Sequence, residues 1–407
     1  MNFKSLKEEF ALLWRFYVIY ILFGVAGAIN APWMLFYLNA GLSFTQIGII
    51  FGASTLVGLL AEVPTGAIAD VFGRKISVGL SFLLLGLTWL LIPFFPQFIP
   101  LIIIISIAQL VSTLRSGADE AWAVDYLKQN KKSSMVHLFF MHRLFLINCG
   151  LIVGGIISAL IVKFLGLNYI WLGSGTVSIF IAGFIFVFGT EKFRKPKKAK
   201  FTERVKQTCN HAGMGWNYVR HHPVLFMYVL GMLFLSFAGC TLGMFWQPIL
   251  ADVGVYAGWI GIIVSISGAI GLVAPLLSKW YAKIFKNDKW AVVITDSILI
   301  AGVLLFAFVM APWQGIVLIL CFWALGDMYT PLGTKFFHNF IKSKYRATIG
   351  SILSMVWGVS ALIFFLTVGF VSDAFGMRAA VIIFSMISAI SIPFLILMKP
   401  KGQKKQI

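Results

Sequence analysis

The sequence is poor in charged residues, and acidic residues are the scarcest of them. Of its 407 residues, 12% are charged and 60% are hydrophobic, with 14 acidic side chains against 33 basic ones. Soluble domains have about a quarter of their residues charged, so this composition excludes a soluble enzyme with an ordinary polar surface. We therefore expect a protein that lies in a membrane.

Sequence patterns that bind nucleotides or metals, or that mark a catalytic nucleophile, are missing as well. The chain has no Gly-x-x-x-x-Gly-Lys-Ser/Thr loop, no His/Cys spacing typical of metal ligands and no nucleophile elbow. Its few cysteines are scattered and mostly lie in apolar runs, so we interpret them as small core residues. We expect no enzyme activity, no cofactor and no bound metal. Residues 1–9 are charged and no small-residue cleavage site follows, which argues against a removable signal peptide.

What the sequence does contain is roughly a dozen apolar runs of the length that crosses a bilayer, about 20 residues each. In the first half we place them at about 15–38, 46–69, 76–94, 100–126, 138–162 and 167–189. In the second half we place them at about 224–250, 257–282, 290–311, 315–337, 347–371 and 378–398. The fold class that this pattern predicts is an all-α membrane protein with twelve transmembrane helices.

Lysine and arginine fall on alternate connections between these runs. The formal charge of +19 therefore does not indicate a nucleic-acid partner, but follows the positive-inside rule. Basic segments at 279–289, 335–346 and 399–405 share one side, and the outside loops keep only Lys163 and Arg378. We predict a multi-pass protein of the plasma (inner) membrane with both termini in the cytoplasm.

A dense basic segment separates the two sets of six runs. This segment comprises residues 191–222. Its second half, from 201 to 222, could form an amphipathic helix along the membrane surface. A solvated linker attracted to anionic lipid is the favoured interpretation over a specific regulatory site. The predicted domains are thus 1–190, a linker at 191–222, and 223–407.

A short hairpin between the second and third runs carries the most specific pattern in the chain. It reads Gly-x-x-x-Asp-x-x-Gly-Arg-Lys, with Gly66, Asp70, Gly73, Arg74 and Lys75 at the fixed positions. The glycines permit close backbone approach, the aspartate can cap a helix, and the basic pair can bind carboxylates or lipid phosphates. For the basic pair alone, an ordinary positive-inside turn remains an equal alternative.

This hairpin resembles the signature loop of the major facilitator superfamily, a family of twelve-helix secondary transporters. Helix number, loop lengths and the basic linker extend the resemblance over nearly the whole chain. It implies two pseudo-symmetric six-helix bundles and a cytoplasmic charge network of Asp70, Arg74 and Asp125 that holds the halves in one state. Arg143 could join that network.

A related spacing recurs on the predicted outer side, where Gly369, Asp373 and Gly376 repeat Gly-x-x-x-Asp-x-x-Gly. Nested inverted repeats would leave such an echo, and a chance match is the alternative. The corresponding connection after helix eight, at 278–283, lacks both the glycine and the aspartate.

Ionisable residues at membrane depth are costly and are functional candidates by default. Our candidates for proton coupling are Glu62, Arg115, Asp119, Glu120 and Asp327. Arg115 and Asp119 are four residues apart and share a helix face, so they can pair. A carboxyl group whose neighbour changes between two conformations can load and release a proton, whereas a static buried ion pair would only fix the helix packing.

Aromatic and polar side chains at depth supply candidates for the substrate cavity. They are Asn30, Trp33, Tyr37, Trp122, Asn148, Trp246, Gln247, Trp323, Tyr329 and Trp357. In the architecture of the family, helices one, four, seven and ten face a central cavity, and an aromatic wall with a few carboxylates suits bulky amphipathic or cationic compounds. Lipid-facing aromatics and polar contacts between helices are the alternatives.

The resemblance is nearest to the drug/proton antiporters, with one departure. Their fifth helix carries Gly-x-x-x-Gly-Pro-x-x-Gly-Gly, whereas here Gly150, Gly154 and Gly155 keep the small-residue spacing without the proline. We predict a monomeric, proton-coupled secondary transporter that exports bulky amphipathic small molecules by alternating access, with substrate, protons and membrane lipid as partners and no nucleic acid. A proton-coupled transporter of one nutrient or siderophore is the near alternative, and a transporter-like receptor or an intramembrane enzyme is a more distant one.

Overall fold

The computed structural model describes residues 3–191, 213–285, 287–341 and 346–398, and regular structure in these ranges is helical. The helices of the first half are α1 (Phe3–Ile29), α2 (Trp33–Asn39), α3 (Phe44–Phe72), α4 (Arg74–Leu91), α5 (Phe98–Thr113), α6 (Ala118–Gln129), α7 (Val136–Phe164) and α8 (Tyr169–Phe188). The helices that follow are α9 (213–220), α10 (Pro223–Asp252), α11 (Ala257–Val273), α12 (Ser278–Ile284), α13 (Asp288–Phe306), α14 (Pro312–His338), α15 (Arg346–Phe375), α16 (Met377–Ala389) and α17 (Ser391–Leu397).

Twelve stretches of the described residues are long and apolar enough to cross a membrane, which confirms the predicted fold class. They are Lys7–Asn39, Phe44–Glu62, Arg74–Phe94, Phe98–Gln129, Ser133–Phe164, Tyr169–Phe188, Pro223–Asp252, Ala257–Ile284, Asp288–Phe306, Pro312–His338, Thr348–Phe375 and Met377–Leu397. Several of these stretches contain two helices in succession, so a span is not always one continuous helix.

The fourth span is interrupted, which the sequence did not predict. We expected one helix from about 100 to 126, but α5 ends at Thr113 and α6 begins only at Ala118. Gly117, the residue before α6, has φ = +71°, a left-handed conformation that glycine adopts without strain. The interruption leaves Arg115 on a turn and places Asp119 and Glu120 in the first turn of a new helix.

The described parts of the chain form two compact units. The first comprises Met1–Leu42, Ala53–Val205 and Val255–Leu272, and the second comprises Ser43–Gly52, Lys206–Gly254 and Val273–Ile407. The start of α3 therefore belongs to the second unit and nearly all of α11 to the first. The division into 1–190, 191–222 and 223–407 stays a prediction, because residues 192–212 of the linker lie outside the described part of the chain.

In the first unit, α1 packs closely against α7 and α8. A Cβ atom added at Gly150 would lie 2.9 Å from the Cα of Gly24, and one at Gly154 would lie 2.7 Å from the Cα of Val25. The small residues of α7 thus allow direct backbone contact, as membrane helices without a strong hydrophobic drive require. The close packing predicted from the glycine spacing of this helix is confirmed.

In the second unit, α10 packs against α15, α16 and α17. An aromatic cluster joins three of these helices, since the ring centroids of Phe364 and Phe384 are 5.0 Å apart and Phe237 lies 6.1 Å from each. Edge-to-face and offset contacts of this kind add about 0.5–1.5 kcal/mol beyond area burial.

The recurring glycine-aspartate spacing forms the same backbone turn twice. Gly73 precedes α4 with φ = +96°, and Gly376 precedes α16 with φ = +86°. Around the second copy, the carboxylate of Asp373 accepts hydrogen bonds from the backbone N–H groups of Phe44 (3.1 Å) and Thr45 (2.9 Å). Asp373 therefore caps the first turn of α3 from the end of α15.

Replacing Gly150 by alanine should destabilise the protein by about 1–3 kcal/mol, because the added methyl group collides with the backbone of α1. The measurement is the thermal unfolding midpoint of the purified protein in detergent. Gly183→Ala on α8 is the matched control, since a Cβ atom there meets no neighbour within 4 Å, and alanine in an exposed helix stabilises by about 0.5–1 kcal/mol. Equal midpoints for the two variants would contradict the backbone contact.

Candidate functional site

The signature hairpin brings two of its predicted partners together. Nη1 of Arg74 lies 2.5 Å from Oδ2 of Asp125 and also donates to the carbonyl oxygen of Ala121 at 2.6 Å. The pair is partly exposed, so its net contribution to stability is small. Its structural effect is to join the start of α4 to α6. The side chain of Asp70 lies outside the described residues, and its role in the network stays a prediction.

Sequence reasoning missed Glu191, the residue that completes the hairpin. Its two carboxylate oxygens accept the backbone N–H groups of Arg74 and Lys75, each at 2.9 Å, in the first turn of α4. A negative charge is favoured at this position because the first N–H groups of a helix have no partner within the helix. The sequence feature that could have indicated this role is one acidic residue at the start of a strongly basic segment.

The charged residues of the fourth span form a compact group with α7. Nη1 of Arg115 lies 3.5 Å from Oδ2 of Asp119, and Nη2 of Arg143 lies 3.0 Å from Oε1 of Glu120 and 4.0 Å from Oδ2 of Asp119. Asp119 is only 7% exposed, and its other oxygen accepts the backbone N–H of Glu120 at 2.9 Å. We call these four residues the arginine–acid group. Arg143, expected near Arg74, belongs to it.

Aromatic rings hold both guanidinium groups in place. The guanidinium carbon of Arg115 lies 4.4 Å from the ring centroid of Phe23 and 5.4 Å from that of Phe82, while Arg143 lies 4.8 Å from the ring of Tyr20. Such cation–π contacts contribute about 0.5–2 kcal/mol, increasing with desolvation. Each arginine therefore keeps a favourable contact that does not depend on the charge of an acid.

The two other acidic candidates for proton coupling make no ion pair within the described residues. Glu62 is exposed, and within the described residues its carboxyl group has neither a hydrogen bond nor an ion pair. Asp327 is half-buried on α14, close to Pro331. Both stay predictions.

The substrate-cavity candidates differ in burial. The buried ones are Tyr37, Trp122, Asn148, Trp246 and Gln247; the half-buried ones are Asn30, Trp33, Trp323 and Tyr329; and Trp357 is exposed. Trp122 donates its indole N–H to the carbonyl oxygen of Thr190 at 3.1 Å, and the centroid of its ring lies 4.8 Å from that of Phe16. These contacts are those of a side chain that packs between helices. Trp246 and Trp323 contact each other edge to face at 5.3 Å. Which of these side chains meet substrate stays a prediction.

Comparisons with known proteins find similar sequences over most of the chain. Residues 16–327 match the sequence profile of the Major Facilitator Superfamily. The uncharacterized MFS-type transporter YxaM of Bacillus subtilis (strain 168) is 27% identical over 383 residues, which is 93% of each chain.

Solved structures share the fold at low sequence identity. The nucleoside transporter NupG superimposes with a TM-score of 0.75 at 14% identity, over 96% of this chain and 100% of its own. A D-xylose-proton symporter gives 0.72 at 13% identity, over 97% and 100%. An inward-facing bacterial homolog of the human lysosomal transporter Spinster gives 0.68 at 15% identity, over 96% of each chain.

Glu191→Ala should lower the stability of the protein by about 1 kcal/mol, the usual cost of removing a helix cap. The reason is that two N–H groups at the start of α4 lose their acceptor. Glu8→Ala is the matched control, because Glu8 is exposed and its bond to Lys132 (2.6 Å) is a surface ion pair worth about 0–1 kcal/mol. Thermal unfolding in detergent is the measurement, and a smaller loss for Glu191→Ala than for Glu8→Ala would refute the cap.

Proposed function

Since this chain belongs to the Major Facilitator Superfamily and is a secondary transporter rather than an enzyme, we propose that protons drive it and that it exports bulky amphipathic small molecules. The arginine–acid group carries the proposal. It combines a buried carboxylate with two arginines at an interruption of a membrane span. Buried ionisable groups inside transporters mark ion and proton pathways.

The group can couple proton binding to a change of structure. Asp119 contacts both guanidinium groups, so its protonation would remove one of the two negative charges that balance Arg115 and Arg143. A buried guanidinium without a counter-charge is unstable by several kcal/mol, which drives α6 to rearrange or an anion to enter. The turn around Gly117 allows α6 to move separately from α5. Protonation and conformation are thereby linked.

Aromatic side chains support a bulky amphipathic substrate. The indoles of Trp246 and Trp323 contact each other edge to face, and Gln247 follows Trp246 in the chain, so these residues would offer an apolar surface with a polar group if a change of conformation exposes them. Sites of this composition bind large, partly apolar compounds, including cations that stack on aromatic faces.

Proton-coupled uptake of one nutrient is the second candidate. It is favoured by the missing proline on α7, which departs from the antiporter pattern. It also agrees with the substrates for which two structural neighbours are named, a nucleoside transporter and a D-xylose-proton symporter.

Proteoliposomes with an internal pH dye distinguish these candidates, with ethidium, uridine and D-xylose as probes. Export by antiport predicts that ethidium dissipates a preformed proton gradient. Uptake by symport predicts proton entry when uridine or D-xylose is added without a gradient. If no probe in a wider panel of amphipathic compounds and nutrients moves protons, the proposal of proton coupling is wrong.

Asp119→Asn should abolish proton-driven transport but keep exchange of labelled substrate for unlabelled substrate, because asparagine imitates the protonated acid permanently. Glu8→Gln, an exposed acid outside the group, is the control and should transport normally. A purely static ion pair predicts instead a loss of about 3–5 kcal/mol in stability, as for breaking a buried pair. Thermal stability, exchange and driven transport are measured on the same preparations. Normal driven transport by Asp119→Asn would exclude this acid as the coupling site.

A further inference from the structure

Another buried acid, Asp296, lies in the second unit and is not part of the arginine–acid group. Asp296 on α13 is 1% exposed, and within the described residues no lysine, arginine or histidine forms an ion pair with it. The basic residues of neighbouring segments have other partners. Lys289 donates to the carbonyl oxygen of Ile396 at 2.6 Å, and Lys335 lies 3.3 Å from Asp288.

Tyrosines surround this carboxyl group instead of cations. The hydroxyl of Tyr329 on α14 donates to Oδ2 of Asp296 at 3.4 Å, and the buried Tyr228 on α10 lies close enough to interact electrostatically with the same carboxyl group. Tyr281 on α12 adds a third phenol, 2.5 Å from the hydroxyl of Thr295. Tyr228 and Tyr281 are members of apolar clusters of buried side chains, and Tyr329 packs against both clusters.

The other ionisable groups on the elements packed against α13 lie elsewhere. On α16, Arg378 binds Asp252 at 2.9 Å and the carbonyl oxygens of Ala307 and Val309. On α14, Asp327 and His338 make no ion pair with Asp296 within the described chain, and α17 contains no ionisable residue.

We propose that Asp296 is a proton-binding site, occupied in this structure and emptied in another conformation of the transport cycle. An ionised carboxylate buried without a cation is strongly unfavourable. A neutral carboxylic acid is compatible with this site, because a phenol hydroxyl can donate to its carbonyl oxygen while its own proton remains on the other oxygen. The ligand is therefore a proton.

The position of Tyr329 links this site to transport. The inference that Asp296 releases its proton during the transport cycle rests on the proposed function. Tyr329 lies between Asp327 and Pro331, in a segment of α14 where the proline removes a backbone hydrogen bond. A shift of this segment relative to α13 would break the bond from Tyr329 and open Asp296 to exchange its proton. Asp296 would then act as a coupling acid in addition to Asp119.

Infrared difference spectroscopy tests the proton without any substrate. The full-length protein in lipid nanodiscs is brought from neutral to alkaline pH, and the carbonyl-stretch band of a buried carboxylic acid is followed. We expect such a band at neutral pH, its loss in Asp296→Asn, and its shift to higher frequency in Tyr329→Phe. Asp252→Asn, which removes an exposed acid paired with Arg378, is the control and should leave the band unchanged.

Two results would overturn the inference: no carboxylic-acid band at neutral pH in the wild-type protein, or a band whose intensity and frequency are unchanged in Asp296→Asn. If Asp296→Asn does not fold, Asp296→Glu and Tyr329→Phe give the same decision, because both must move the band. Proton-driven transport separates this inference from the proposed function. Loss of the band with normal driven transport would limit Asp296 to a structural acid, whereas normal transport by Asp119→Asn would refute only the role of Asp119.

Discussion

Polar groups enclosed by apolar helices must find their partners within the chain itself, and this requirement determines how the charged residues are arranged. Water in the hydrocarbon is too scarce to solvate an unpaired charge or an open backbone N–H. Each guanidinium of the arginine–acid group accordingly has both an acid and an aromatic ring. Glu191 and Asp373 meet the same requirement for backbone groups, since each carboxylate accepts two N–H groups at the start of a helix.

The sequence was sufficient for those properties that add up over many residues. Twelve spans could be predicted because each depends on the mean hydropathy of about 20 positions, and a single misjudged residue changes little. The contact of Arg74 with Asp125 was also predictable, but through the resemblance of the hairpin to a known family. The close approach of α1 and α7 followed from the spacing of small residues, which has few other uses in an apolar helix.

Features that depend on one residue or on a distant neighbour were not predictable. Glycine is common in membrane helices, so Gly117 alone was not sufficient to predict the interruption before α6. Glu191 is followed in sequence by lysine and arginine, and its partners at the start of α4 are more than a hundred positions away. The surroundings of Asp296 could not be predicted, because the tyrosines near it come from three other helices.

The cap on α3 has a consequence for how the protein is made. Asp373 follows Phe44 and Thr45 by 329 and 328 positions, so α3 is inserted into the membrane long before its capping residue has been synthesised. Until α15 is complete, two backbone N–H groups at the start of α3 have to be satisfied by water or lipid headgroups. The cap on α3 is therefore completed only late in biogenesis, and a nascent chain that stops before α15 leaves this end of α3 without its acceptor.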